Sequence, residues 1–284
     1  MNTPSFTLLD GAKIPAQGFG VFQIPPGEDT EKAVLQALEA GYRHIDTAAA
    51  YQNEASVGRA VRASGIPREQ LFITSKLWLQ DFGYEPAKKG IETSLRLLDL
   101  DYIDLYLLHQ PYLDTVGAWR AMEEYQSKGL LHSLGVSNFT IRYLEEFLPR
   151  ISTIPVVNQV ECNPLQQQKT LRAKMAEHGI LLESWYPLGH GNPKLLQNPV
   201  LVEIAQAHHR SVSQVILLWH LQEKSIALPK STNPAHIKEN LDLDFCLSSE
   251  EMERIRALDT GKGYRNPEDP GIAEHLLEKY KIHP

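Results

Sequence analysis

Cysteine is scarce: Cys162 and Cys246 are the only two in 284 residues. They are far apart, form no C-x-x-C, and by themselves can build neither a disulfide framework nor a metal site. A reducing compartment is the expectation. Long apolar runs are missing as well, and none approaches the length of a membrane span. The opening "MNTPSFTLLDGAKIP" has no basic region followed by an apolar stretch, so an unexported, cytoplasmic protein with no membrane partner is expected. Positive charge is the minority sign, with 28 Lys and Arg against 35 Asp and Glu and a net charge of −7. Binding to a nucleic-acid backbone needs a clustered basic footprint, and none is present.

What recurs instead is alternation. Short apolar or β-branched runs appear from end to end: "QGFGVFQ", "RHIDTA", "LFITSK", "IDLYLLH", "SLGVSN", "VVNQVE", "ILLESWY" and "SIALPK". Most are followed by helical spacing with its punctuation. Asp29 or Thr30 can cap the first helix and Gly41 can end it. Pro86 suits a first turn, and Thr140 can cap "IRYLEEFL". Eight strand–helix pairs predict an α/β protein of the closed (β/α)8 barrel type, with a doubly wound open sheet as the competing arrangement. The segment "FTLLDGAKIP" reads as a hairpin turning at Asp10-Gly11 that closes the barrel bottom. The segment "HHRSVSQVILLWHLQ" adds a helix before the last strand. With no linker and no repeat, residues 1–284 are read as one domain.

In such a barrel the carboxyl ends of the strands form the active face. Asp46, Lys76, His109, Ser137 with Asn138, Gln159 and Lys230 lie at or just beyond those ends. Each alone has an ordinary structural explanation, but together they converge on one mouth. Tyr51 follows Asp46 by five residues. An ionised Asp46 would hold Lys76 charged, and an ammonium beside a phenol would lower the tyrosine pKa from about 10, making it a useful general acid. "GFGVFQ" is not a dinucleotide fingerprint, and the sequence has neither a phosphate-binding G-x-x-x-x-G-K-[ST] loop nor a G-x-S-x-G elbow. It also has no H-E-x-x-H, so no metal is expected.

The motifs "GYRHIDTAAAYQNE", "LFITSKLW", "DLYLLHQP", "GVSNF", "NQVE", "ESWYPLG" and "PKSTNPAHIKEN" closely resemble the aldo-keto reductases, especially bacterial members related to 2,5-diketo-D-gluconate reductases. The resemblance runs through nearly the whole chain. It implies a monomeric barrel that interconverts small-molecule carbonyls and alcohols with NADPH, using Asp46, Tyr51, Lys76 and His109. It further implies that Ser137, Asn138 and Gln159 hold the carboxamide of the cofactor and that Trp185 stacks on the nicotinamide. Leu188 and Gly189 would lie along the pyrophosphate, with Gly20, Val21 and Phe22 as first-strand contacts. Lys230, Ser231, Thr232 and Asn233 would take the 2′-phosphate, and Glu239 and Asn240 the adenine. Phe22, Trp78 and Gln110 would line the substrate pocket.

Three positions depart from the family pattern. Gln110 replaces a common Trp, His236 stands where an Arg is usual at the 2′-phosphate, and Cys162-Asn163 replaces an apolar residue and a His. A more polar pocket is expected, and an imidazole cannot make the two-pronged contact of a guanidinium. Short loops such as "HQPYLDTV" point to an open mouth. Two other readings stay open at this stage: a non-catalytic protein that senses a nicotinamide cofactor, and a Schiff-base aldolase using Lys76.

Overall fold

The computed structural model describes residues 4–283. A hairpin comes first: β1 (Ser5–Thr7) pairs antiparallel with β2 (Lys13–Pro15). Between them, Gly11 and Ala12 make the turn bonds to Leu8, and the Asp10 carboxylate accepts from the Ala12 N–H at 3.1 Å.

All eight expected strands then form in order. They are β3 (Phe19–Gly20), β4 (His44–Asp46), β5 (Phe72–Leu77), β6 (Ile103–Leu108), β7 (Leu131–Ser137), β8 (Val157–Glu161), β9 (Leu181–Trp185) and β10 (Ile226–Ala227). Each is parallel to its neighbour in a single eight-stranded sheet. A parallel bridge from Gln17 to Ala227 joins the two edges. At this seam Gly18 donates to the Ala227 carbonyl at 2.9 Å, Ala227 to Ala16 at 3.1 Å, and Gly20 to Pro229 at 3.1 Å. The sheet is thereby closed and the open-sheet alternative is set aside.

The two-residue period of a strand sorts the side chains. In β6, Tyr106 and Leu108 face the helices and join the large outer core with Val34, Leu38, Ile91 and Trp119. Leu105 and Leu107 face inward and meet Leu8 and Ile14 of the hairpin, together with Phe72, Val157 and Ile226. The hairpin therefore plugs the bottom of the barrel with apolar surface.

Helix boundaries correct some sequence expectations. The helix Glu28–Ala40 begins after Gly27 with no side-chain cap. Thr30 lies inside it and donates instead to the Pro25 carbonyl at 2.6 Å. Gly41 does end it, at φ 116, with its N–H on the Ala37 and Leu38 carbonyls. Thr140 occupies the N-cap of Ile141–Phe147, but its hydroxyl bonds the Glu268 carboxylate rather than the helix backbone. Ser211 and Gln214 form a reciprocal capping box on the additional helix Val212–Gln222. Gly58, in Glu54–Ala63, faces the Leu98 carbonyl so closely that a Cβ would run into it. Among the described residues no helix is long and apolar enough to cross a membrane.

Candidate active site

The inward series that begins with Leu105 and Leu107 continues to His109, directly beyond β6. The same alternation puts Asp46 at the end of β4, Lys76 in β5, Ser137 at the end of β7, Gln159 in β8, and Glu183 and Trp185 in β9. Strand geometry alone thus delivers these side chains to one end of the barrel interior. Tyr51 arrives differently, as the last residue of the 3-10 turn Ala49–Tyr51 that follows β4.

Lys76 is completely buried, and its ammonium donates three hydrogen bonds: to Asp46 Oδ1 at 2.7 Å, to the Thr47 carbonyl at 2.8 Å and to the Tyr51 hydroxyl at 3.3 Å. Three is its full donor capacity. Burial opposes the charge, but Asp46 and Tyr51 outweigh it and leave the Lys76 pKa raised. A charged, fully bonded ammonium is not a nucleophile, which weighs against the aldolase reading.

The Tyr51 phenol departs from expectation. Burial dominates the opposing effect of Lys76, Asp46 adds to burial, and the pKa is pushed up to about 12 rather than down. The hydroxyl is held protonated. His109 is neutral: burial, then Lys76 and Arg265, hold its pKa well below the usual histidine range. Its ring stands edge-on to Tyr51 at 5.6 Å and to Trp78 at 5.0 Å, and Phe22 lies 4.9 Å from the Tyr51 ring.

A second carboxylate lies below. Gln159 Nε2 donates to Asp46 Oδ2 and to Glu183 Oε2, both at 2.9 Å. Burial first, then Asp46, raises the Glu183 pKa to about 8. Burial and Lys76 lower that of neighbouring His44 to about 3. Although His44 and Glu183 approach to 3.8 Å, burial disfavours the charged form of both, so this contact is not counted as an ion pair.

The residues assigned to a cofactor divide into an ordered inner group and an exposed outer one. Ser137 Oγ donates to the Gln159 carbonyl at 2.8 Å, Asn138 Nδ2 to the His109 carbonyl at 3.1 Å, and Trp185 Nε1 to Asn138 Oδ1 at 3.0 Å. Val21 is a poorer candidate. Its side chain is in the core, its N–H goes to Asp46 and its carbonyl accepts from Ile24 and Asn53. Leu188 and Gly189 start the turn after β9. Beyond β10, Lys230, Thr232 and His236 are exposed. Asn233 caps the helix Pro234–Glu239, and Ser231 Oγ accepts from the Asn233 N–H at 3.1 Å. Glu239 is half-buried, and the carbonyl of buried Asn240 accepts from Gln17 Nε2 at 2.8 Å.

The mouth is covered on one side. The helix Ile272–Lys279 lays Leu276 against Trp78, Leu79 and Tyr112, and Trp78 Nε1 donates to the Tyr280 carbonyl at 2.7 Å. Cys162 does not make the pocket polar either: it is buried in the core, with Arg172 Nη2 on its sulfur at 3.2 Å. Sequence reading missed Thr47, Glu183, Arg265 and Tyr280. Glu183 was detectable, standing two residues before Trp185 on the inward face. The amphipathic spacing of Ile272, Leu276 and Tyr280 marks the covering helix.

Comparison with known proteins agrees with this fold. The model of the Aldo/keto reductase family matches residues 18–260. Glyoxal reductase of Bacillus subtilis is 47% identical over 256 residues, 88% of this chain and 91% of its own. An aldo/keto reductase structure from Brucella melitensis superposes with a TM-score of 0.88 at 45% identity, covering 91% of this chain and 100% of that one. A Bombyx mori aldo-keto reductase in complex with NADP gives a TM-score of 0.87 at 33% identity, over 100% of this chain and 99% of its own. Matched across most of its length in sequence and in fold, the chain belongs to the aldo/keto reductase family.

Proposed function

We propose that the protein reduces aldehydes and ketones to alcohols with NADPH, with Tyr51 as the general acid. The observation that carries this reading is the Tyr51 hydroxyl 3.3 Å from a buried ammonium that Asp46 clamps from the other side. Glyoxal reductase among the relatives and the NADP complex among the similar structures support it.

The residues suit a nicotinamide dinucleotide. Gln159 has both amide protons engaged with the carboxyl groups of Asp46 and Glu183 and keeps its Oε1 as an acceptor for a carboxamide N–H. Lys230, Thr232 and His236 offer exposed donors to a 2′-phosphate, and among the described residues Lys230 and His236 make no ion pair. The nicotinamide, when bound, supplies the hydride.

The chain's own residues handle the proton. Burial keeps the Tyr51 hydroxyl loaded throughout the neutral range. As negative charge grows on the substrate oxygen, Tyr51 donates its proton there and becomes a phenolate. Lys76 then faces that phenolate with a charge already in place, so no solvent has to reorganise. Asp46 and the Thr47 carbonyl fix the ammonium, and neutral His109 donates to the carbonyl oxygen to orient it. Trp78 and the segment through Tyr280 exclude water from one side.

A positioned acid contributes roughly 10²- to 10⁴-fold. Tyr51→Phe should lower benzaldehyde reduction, followed by NADPH absorbance, by about that factor while NADPH still binds. Near-normal turnover in that variant would remove Tyr51 from this role.

A further inference from the structure

Gln110 follows His109 directly and is 3% exposed. Its Oε1 accepts from Arg265 Nη2 at 3.0 Å. Arg265 sits on the segment that crosses the mouth, anchored by Glu161, whose two carboxylate oxygens accept from the Tyr264 N–H at 2.8 and 2.7 Å. Gln110, where relatives of the resembling kind carry an apolar ring, thus gives a guanidinium a fixed place beside the acid–base residues.

Among the described residues that charge has no ion-pair partner within 4 Å: the Glu161 carboxylate feels it, but its oxygens already accept from backbone N–H groups. The Arg265 Nε is buried without a partner. Arg142, another cation nearby, is already matched by Glu146 and Glu268 at 3.4 and 3.7 Å. Arg265 also lines a cavity of about 920 Å³ that reaches Asn138 and Trp185. Its charge is felt at the reacting end, being one of the influences that keep His109 neutral. A guanidinium has five N–H donors; Gln110 uses one, Nε–H is buried, and the remaining Nη N–H groups match a carboxylate in shape and charge. Of the three acidic groups around the cavity, Glu145 is paired with Lys174 at 3.4 Å, Glu161 is engaged by backbone N–H groups and Glu268 by Thr140 and Arg142.

We propose that Arg265, aimed by Gln110, binds the carboxylate of an anionic carbonyl substrate, so that carboxylated aldehydes and ketones are preferred over neutral ones. This rests on the carbonyl reduction proposed above.

The test is a ratio: kcat/KM for para-carboxybenzaldehyde divided by kcat/KM for benzaldehyde, with NADPH. One charge-assisted contact predicts that Arg265→Met lowers the ratio roughly 10- to 100-fold. Arg265→Lys, which keeps the charge but loses the planar fork, should lie between. Benzoate should inhibit benzaldehyde reduction competitively in the wild type and more weakly in Arg265→Met. If Arg265→Met does not fold, Gln110→Leu serves: the guanidinium stays but is no longer aimed, and the ratio should fall severalfold. An unchanged ratio in the soluble variant, whatever the absolute rates, would reduce Arg265 to a structural tie. Failure of the wild type to reduce either aldehyde would instead overturn the carbonyl reduction on which both readings rest.

Discussion

Replacing Asp46 by Asn tests whether the buried ion pair acts as a unit. The side chain has two distinct jobs: Oδ1 faces Lys76 at 2.7 Å and Oδ2 faces Gln159 Nε2 at 2.9 Å. Both neighbours are donors. An asparagine has one acceptor oxygen, so it can satisfy Lys76 or Gln159 but must turn its NH₂ toward the other. Lys76 keeps the Thr47 carbonyl and Tyr51, yet its charge is left buried with no counter-ion. Removing one member of such a pair costs about 3–5 kcal/mol. Urea unfolding of Asp46→Asn should show a loss of that order, and benzaldehyde reduction should fall roughly 10²-fold or more because the ammonium is no longer clamped beside Tyr51. The double variant Asp46→Asn with Lys76→Met should recover stability but not turnover. A single variant that loses under about 1 kcal/mol, or a double variant less stable than the single, would refute the orphan-charge argument.

The other predictions concern separate parts of the fold. His236→Arg should tighten NADPH binding several-fold in a fluorescence titration and leave NADH unchanged; equal gains for both cofactors would place His236 away from the phosphate. Glu183 titrates at about 8 in the folded chain against an ordinary 4.5, so the folded state holds the extra proton between those values and stability falls as pH rises through them. Unfolding of Glu183→Gln should therefore lack the part of the decline between about pH 5 and pH 8 that the wild type shows. Parallel curves would mean that Glu183 is already ionised. Gly58→Ala drives a methyl into the Leu98 carbonyl, and helix separation should lower stability by about 1–3 kcal/mol; an unchanged melting temperature would show that the two helices yield freely.

The strands were legible because a barrel strand is a short β-branched run whose inward residues repeat every second position. Asp46, Lys76 and His109 could be placed for the same reason. The caps were harder, since Asp29, Thr30 and Thr140 all have the right chemistry and only tertiary contacts decide which bonds form. Thr140, for example, is drawn to Glu268, 128 residues away. The sign of the Tyr51 shift was misread because a sequence reveals its charged neighbours but not its burial, and burial dominates. The covering helix and Arg265 lie beyond the last strand, outside the repeating pattern that guided the reading.

The closing seam has a mechanical consequence. β6 and β7 have six and seven residues, whereas the seam joins two strands of two residues each. A hoop yields where it is thinnest, so amide hydrogens at Gly18, Gly20 and Ala227 should exchange sooner than those of Leu105 or Tyr106. The residues proposed to hold the dinucleotide lie on both flanks of that seam, from Gly20 on one side to Lys230 and Asn240 on the other. A ligand gripping both flanks is a clasp, and it should slow exchange at the seam far more than in the middle of the sheet.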